Sequence, residues 1–222
     1  LAGAMANHQI EKLFFAPAAI TYGLEYHLNA LDDKVIAYDI RTQQSTNIFG
    51  GYFQSEWTSK LFNVLIGARL DKHNLLENPV FVPRINFLYK PTTNLQVRAS
   101  YSSGYRAPQA YEEDFHVTQV GGLSLRTVLA DNLKPEYSNS FALSADYYCQ
   151  IGDNWQGNIL LEGFYTILDD VFAIRELETD TLTQTLYQER YNASGATIAG
   201  ASITAKAAYK DLFTLSLGYT LQ

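Results

Sequence analysis

The sequence holds a single cysteine, Cys149. One thiol builds no disulfide within the chain and no paired-cysteine zinc site. No stretch approaches the roughly 20 consecutive apolar residues of a membrane-crossing helix. That absence leaves strands available as membrane spans, because barrel strands alternate and never generate such a run. Basic charge is scarce: 16 Lys and Arg stand against 23 Asp and Glu, for a formal net charge of −7. A surface that wraps nucleic acid needs a basic stripe, so that class of partner is excluded. Spread-out acid is read instead as ordinary solubility. The opening residues, LAGAMANHQIEKLFF, lack a basic start followed by a continuous apolar core, so no secretion signal is read there. The motifs GxSxG and GxGxxG and the phosphate-binding loop are missing. His8, His27, His73 and His116 are scattered and pair with no cysteine or second histidine at helical spacing. The chain is therefore read as a non-enzyme with no cofactor and no metal site.

What the sequence does hold is alternation. It is 47% apolar and only 18% charged, with 16 Tyr and 12 Phe, so it is not a disordered chain. An excess of Tyr over Phe points to rings that are half wet. Runs of about ten residues repeat with period two. In ITYGLEYHLNA, residues 20–30, Ile20, Tyr22, Leu24, Tyr26 and Leu28 share one face, and Thr21, Glu25, His27 and Asn29 the other. The same pattern places Phe62, Val64, Ile66, Ala68 and Leu70 opposite Asn63, Arg69 and Asp71. It places Phe141, Leu143, Ala145, Tyr147 and Cys149 opposite Ser140, Ser144 and Asp146. The breaks between runs go long, short, medium, short, long, short, long, short, with LDDKVIAYDIRTQQST (31–46) as the first long one. An antiparallel meander sorts its turns this way, because every second turn lies at the same end. Aromatic residues near run ends, such as Trp57, Tyr89, Trp155 and Tyr219, match interfacial girdles. The expected fold is all-β: an antiparallel meander that forms a partial segment of a transmembrane β-barrel.

One interruption is long and chemically rich. SYSSGYRAPQAYEEDF ends one alternating run, and DNLKPEYSNSFALSADYY opens the next. Pro108 lacks an N–H and pushes its predecessor into extended geometry, so strand pairing is expected to stop there; Pro135 acts alike at the entry to the next strand. Arg106 and Glu136 stand at the two feet of this loop. They either pair across its base or stay as separately solvated charges.

These elements, taken in order, resemble the barrel of TonB-dependent outer-membrane receptors. The carrying motifs are Tyr105-Arg106-Ala107-Pro108-Gln109 and Leu133-Lys134-Pro135-Glu136, joined upstream by GGYFQSEW and LIGARLDKHN and downstream by LEGFYTILDDVF and NASGATIAGASI. The resemblance covers most of the chain. One position departs from the family pattern: a Gly-aliphatic-Glu element reads Gly200-Ala201-Ser202 here, which puts any role for a carboxylate at that point in doubt. The resemblance implies a barrel of about 22 strands around a plugged lumen, set in the outer membrane of a Gram-negative bacterium. It further implies that outer loops bind a scarce nutrient, a ferric siderophore, haem or cobalamin. Import would draw on energy transmitted by TonB through a plug domain. With about nine or ten strand runs, residues 1–222 are expected to be a partial barrel, with the plug and the remaining strands outside this chain.

A loop that touches ligand needs aromatic surface and a few polar groups. The expected ligand-facing residues are Tyr105, Arg106, Gln109, Tyr111, Glu112, Glu113, Asp114 and His116, with Pro108, Pro135 and Glu136 as the structural loop base. The acidic run matches no metal-loop spacing and is read as a charged loop. Asn192-Ala193-Ser194 fits a glycosylation pattern that is common by chance. Two other architectures share the period-two signal: a small self-contained outer-membrane barrel or adhesin, and a soluble β-rich binding domain whose apolar face is covered by a second layer.

Overall fold

The computed structural model describes residues 1–36, 40–109, 124–180 and 185–222. Thirteen strands run through them. The first six are β1 (Ala2–Leu13), β2 (Ala16–Val35), β3 (Ile40–Thr58), β4 (Phe62–His73), β5 (Val80–Tyr89) and β6 (Leu95–Arg106). Then come β7 (Ser124–Leu129), β8 (Glu136–Ile151), β9 (Trp155–Asp169), β10 (Phe172–Asp180), β11 (Thr185–Asn192), β12 (Ala196–Tyr209) and β13 (Phe213–Leu221). Ten of them form one sheet in the order β1-β2-β3-β4-β5-β6-β8-β9-β12-β13. Every neighbouring pair in it is antiparallel. The edges β1 and β13 do not pair with each other, so the sheet is not a closed ten-stranded barrel. The remaining three make a small sheet, β10-β11-β7.

The turns sort by end as the sequence predicts. Residues 14–15, 59–61, 90–94, 152–154 and 210–212 make short connections at one end. Three of these turns place a residue in the left-handed region. Gly152 supplies one at φ 62° without steric conflict, whereas Phe14 (φ 60°) and Lys210 (φ 47°) adopt it with a Cβ, at a cost of roughly 1–2 kcal/mol each. Several aromatic side chains pack together at this end. Trp155 lies 5.0 Å from Tyr209 and meets Phe213 edge-on at 5.8 Å, and Phe15 stacks on Trp57 at 6.0 Å. Rings with one apolar and one wet side collect at a membrane–water boundary.

Register carries the alternation across the whole sheet. Ala99, Leu143, Gly163 and Ala201 lie side by side on one face, with Ser100, Ala142 and Phe164 as neighbours on the other. The first face is apolar and uncovered: Leu143 is 59% exposed, Leu161 49% and Leu217 64%. Only five apolar residues are buried among the described residues, Ala16, Ala18, Leu76, Val80 and Ala107. A soluble sheet would bury this face under a second layer; an outer-membrane strand turns it to lipid.

Three expectations are corrected. Residues 2–13, read only as a non-signal N-terminus, form a strand. The first long break is mostly paired backbone: β2 and β3 run together up to Val35 opposite Ile40. Above the lipid both faces of a hairpin meet water, so the apolar period vanishes while the hydrogen-bonded ladder persists. Asp32 accepts from Arg41 Nε at 2.7 Å and Nη2 at 2.6 Å, and from Gln43 at 3.2 Å. The Arg41 contact, then Gln43, hold the Asp32 carboxyl down to about 2. Third, the interruption after β6 contains β7, which pairs in parallel with β11. Next to it β10 and β11 pair antiparallel as a hairpin, with Arg175 opposite Glu189.

Candidate functional site

The end opposite the tight turns carries the long connections 74–79, 107–135 and 170–195, and the tip of the β2–β3 hairpin. In outer-membrane barrels the long loops face outward and the short turns face the periplasm. Strand β6 stops at Arg106 and β8 starts at Glu136, and these two residues are the last register pair. Prolines 108 and 135 flank that rung, one ending the ladder and the other opening it. Arg106 Nη2 donates to Glu136 Oε2 at 3.0 Å. The same oxygen accepts the Phe172 backbone N–H at 2.9 Å, and the Arg106 guanidinium lies 4.8 Å over the Phe172 ring. The foot of one loop is thereby fastened to the first residue of β10, in the next loop.

Asn192 makes a second fastening. Its side-chain amide donates to the carbonyls of Lys134 and Asp170 at 3.0 and 2.7 Å, and its oxygen accepts the Lys134 N–H at 2.8 Å. The residue that fits a glycosylation pattern therefore spends its amide on joining two loops. Gln109 makes the third: it accepts from Gln44 Nε2 at 3.0 Å and, through its backbone carbonyl, from Arg190 Nη1 at 2.8 Å.

Just inside these loops lies a polar cluster on the lumen-facing side. Arg69 donates to Glu25 Oε2 at 2.6 Å and to Asp71 Oδ1 at 2.7 Å. Tyr105 donates its hydroxyl to Asp71 Oδ2 at 3.1 Å. Gly50 lies between Glu25 and Asp71 in register, and a Cβ there would run into the Asp71 carboxylate and the Arg69 guanidinium. A recess of about 420 Å³ opens beside the cluster, with Tyr52, Gln54, Arg84 and Ser102 in its wall. Tyr105 also packs on Leu76, Val80 and Ala107, the small apolar core under the loops. Burial first, then the Asp71 carboxylate, push the Tyr105 phenol above its ordinary value, so it stays a donor. His73, at the outer end of β4, is 2% exposed and accepts the Leu75 N–H on Nδ1 at 3.0 Å. Burial lowers its affinity for a second proton, against the pull of Asp71.

Of the residues expected at the ligand-facing surface, Tyr105, Arg106 and Gln109 are placed at this end. Tyr111, Glu112, Glu113, Asp114 and His116 lie outside the described residues. The structural base Pro108, Pro135 and Glu136 sits at the loop foot. The sequence reading missed the partnership of Glu25, Arg69, Asp71 and Tyr105. Each sits on the polar side of an alternating run or at its end, but only the register shows that they meet. At the departure from the family pattern, Ser202 Oγ donates to Glu162 Oε2 at 3.3 Å. The carboxylate on that rung comes from the neighbouring strand β9. No group of three or more His, Cys, Asp or Glu is placed to hold a metal ion among the described residues.

Known proteins share this architecture. The family model described as TonB dependent receptor-like, beta-barrel matches residues 6–222. An iron-regulated outer membrane virulence protein of Vibrio cholerae serotype O1 is 30% identical over 130 residues, which is 58% of this chain and 20% of that protein. The siderophore receptor PirA from Pseudomonas aeruginosa superposes with a TM-score of 0.75 at 18% identity, over 99% of this chain and 42% of its own. The ferric enterobactin receptor PfeA gives a TM-score of 0.72 at 18% identity, over 99% of this chain and 35% of its own. The chain thus spans less than half the length of each of these relatives. Alternating lipid-facing strands, tight turns at one end, fastened loops at the other and a family match over residues 6–222 lead to one assignment: the chain belongs to the TonB-dependent receptor β-barrel family of the bacterial outer membrane.

Proposed function

We propose that this chain is part of a receptor that binds an iron chelate at the outer surface and imports it with energy transmitted by TonB. The observation that carries the reading is the kind of relative it matches, an iron-regulated outer membrane protein and siderophore receptors. Further strands close the barrel, and a plug domain outside this chain fills the lumen and receives the TonB pull. Tyr105, Arg106, Gln109, Tyr111, Glu112, Glu113, Asp114 and His116 belong to the ligand-facing surface. Aromatic rings interspersed with a few polar groups suit a large, partly aromatic, charged chelate. Haem and cobalamin are the competing cargoes. The test uses cells carrying the whole receptor, starved of iron and offered radiolabelled ferric enterobactin, haem or cyanocobalamin, with and without TonB. Uptake of the ferric chelate that disappears without TonB is the expected result. Uptake of haem or cyanocobalamin alone, or uptake indifferent to TonB, would overturn the reading.

A further inference from the structure

One buried histidine closes a turn with a hydrogen bond that it can accept only while neutral. His73 ends β4 at 2% exposure, and its Nδ1 accepts the Leu75 N–H at 3.0 Å. An acceptor at Nδ1 requires the ring proton to sit on Nε2. The His73 carbonyl accepts the Leu76 N–H at 3.2 Å, which completes a tight turn over residues 73–76. That turn seats Leu76 against Val80 and Ala107, with Tyr105 packed on them. Its flanks are anchored separately. Asn74 is bonded to Asn47 and Ser45 of β3, and Lys72 Nζ donates to the Leu76 and Glu77 carbonyls at 3.1 and 2.7 Å. The charged neighbour that acts on His73 is Asp71, two residues back on β4. Asp71 Oδ1 accepts from Arg69, and its Oδ2 from Tyr105 on β6. Opposite His73, β3 places Ile48; beyond it on β2 lies His27, its Nε2 3.4 Å from Glu25 Oε2. Glu77, in the connection itself, is exposed.

We propose that His73 is a pH-sensitive latch: neutral, it holds the 73–76 turn shut; protonated, it releases Leu75 and unseats Leu76 from beneath the loop foot at 105–107. A proton on Nδ1 turns the acceptor into a donor that faces another donor, the Leu75 N–H. The ring is also buried, so the new charge has little water around it. Burial lowers the His73 pKa below its ordinary value of 6.5, and Asp71 pulls the other way. The latch is therefore closed in full above pH 6.5 and is lost as the pH falls through the lower folded value. Neither anchor is removed. Asn74 stays fixed to β3, and the exposed Lys72 follows its carbonyls on a flexible stem. The movement is confined to Leu75 and Leu76, and it loosens the support of the loop foot whatever the cargo.

The test uses the whole receptor in outer-membrane vesicles, with Cys149→Ser, any cysteine outside this chain likewise replaced, and one spin label at Leu75→Cys, an exposed position. The label leaves the backbone N–H of residue 75 in place. No ligand is added, so this result and the uptake result can fail separately. Label mobility is followed from about pH 8 to about pH 4.5. The parent should hold the label immobile at the upper end and free it at the lower, with a midpoint below pH 6.5. His73→Asn should hold it immobile throughout, because an asparagine side-chain oxygen accepts the N–H two residues on and takes up no proton. Asp71→Asn keeps the histidine but removes the charge that attracts its proton, so the midpoint should move to lower pH. His27→Gln should leave the midpoint unchanged. No transition in the parent, a transition that persists in His73→Asn, or one lost with His27 instead would overturn the proposal. A midpoint that stays or rises in Asp71→Asn would also overturn it, and that variant decides alone if His73→Asn does not fold.

Discussion

Arg106 and Glu136 carry opposite charges at opposite ends of a 29-residue interruption, and the register brings them onto one rung. The Arg106 side chain remains 45% exposed and that of Glu136 only 14%. An ion pair this open to water has a small coupling, about 0.5–1 kcal/mol in a double-mutant cycle. Glu136 also takes the Phe172 N–H, so Glu136→Gln should cost less than Glu136→Ala, which strips that backbone donor of its partner. Equilibrium unfolding of the whole barrel in denaturant measures both; zero coupling would mean that the two charges are solvated separately. At this scale the prolines were readable from sequence, because their steric effect reaches only the adjacent residue. The Glu25–Arg69–Asp71–Tyr105 cluster was not. Its members come from three strands, and one slipped register would separate them.

Each transmembrane strand presents lipid on one side and lumen on the other, and neighbouring residues therefore tolerate different chemistry. Leu143 and Ala142 are adjacent on β8 and both are exposed, but they point to opposite faces. Leu143→Arg should lower the folding free energy in bilayers by about 2–4 kcal/mol, the cost of a guanidinium near the membrane midplane. Ala142→Arg should change it little. Folding of the whole receptor into lipid vesicles, titrated with denaturant, reads the difference; equal costs would place both residues in one environment. Strand identity within the lipid zone was legible because lipid enforces the alternation. Outside that zone legibility fell away. The outer half of the β2–β3 hairpin has its ladder but no apolar face. The six-residue β7 exists through its parallel pairing with β11, and no local pattern announces such a partner.

The sheet as a whole has a direction. Its tight turns and the Trp57 and Trp155 ring clusters lie at one end, and its long connections are bound to one another at the other. Fold class and family could be read from the sequence, because turn lengths and period are repeated over nine strand pairs. The joining of adjacent outer loops into one three-stranded sheet came only with the structure. The most direct test of the account is the sidedness of these two ends. A short epitope is inserted into the whole receptor either at 131–132, in the loop ahead of β8, or at 152–154, in the turn between β8 and β9. Antibody should label intact cells carrying the first insertion. It should label the second only after the outer membrane is permeabilised. Labelling of the 152–154 epitope on intact cells, or recovery of the receptor outside the outer-membrane fraction, would contradict it.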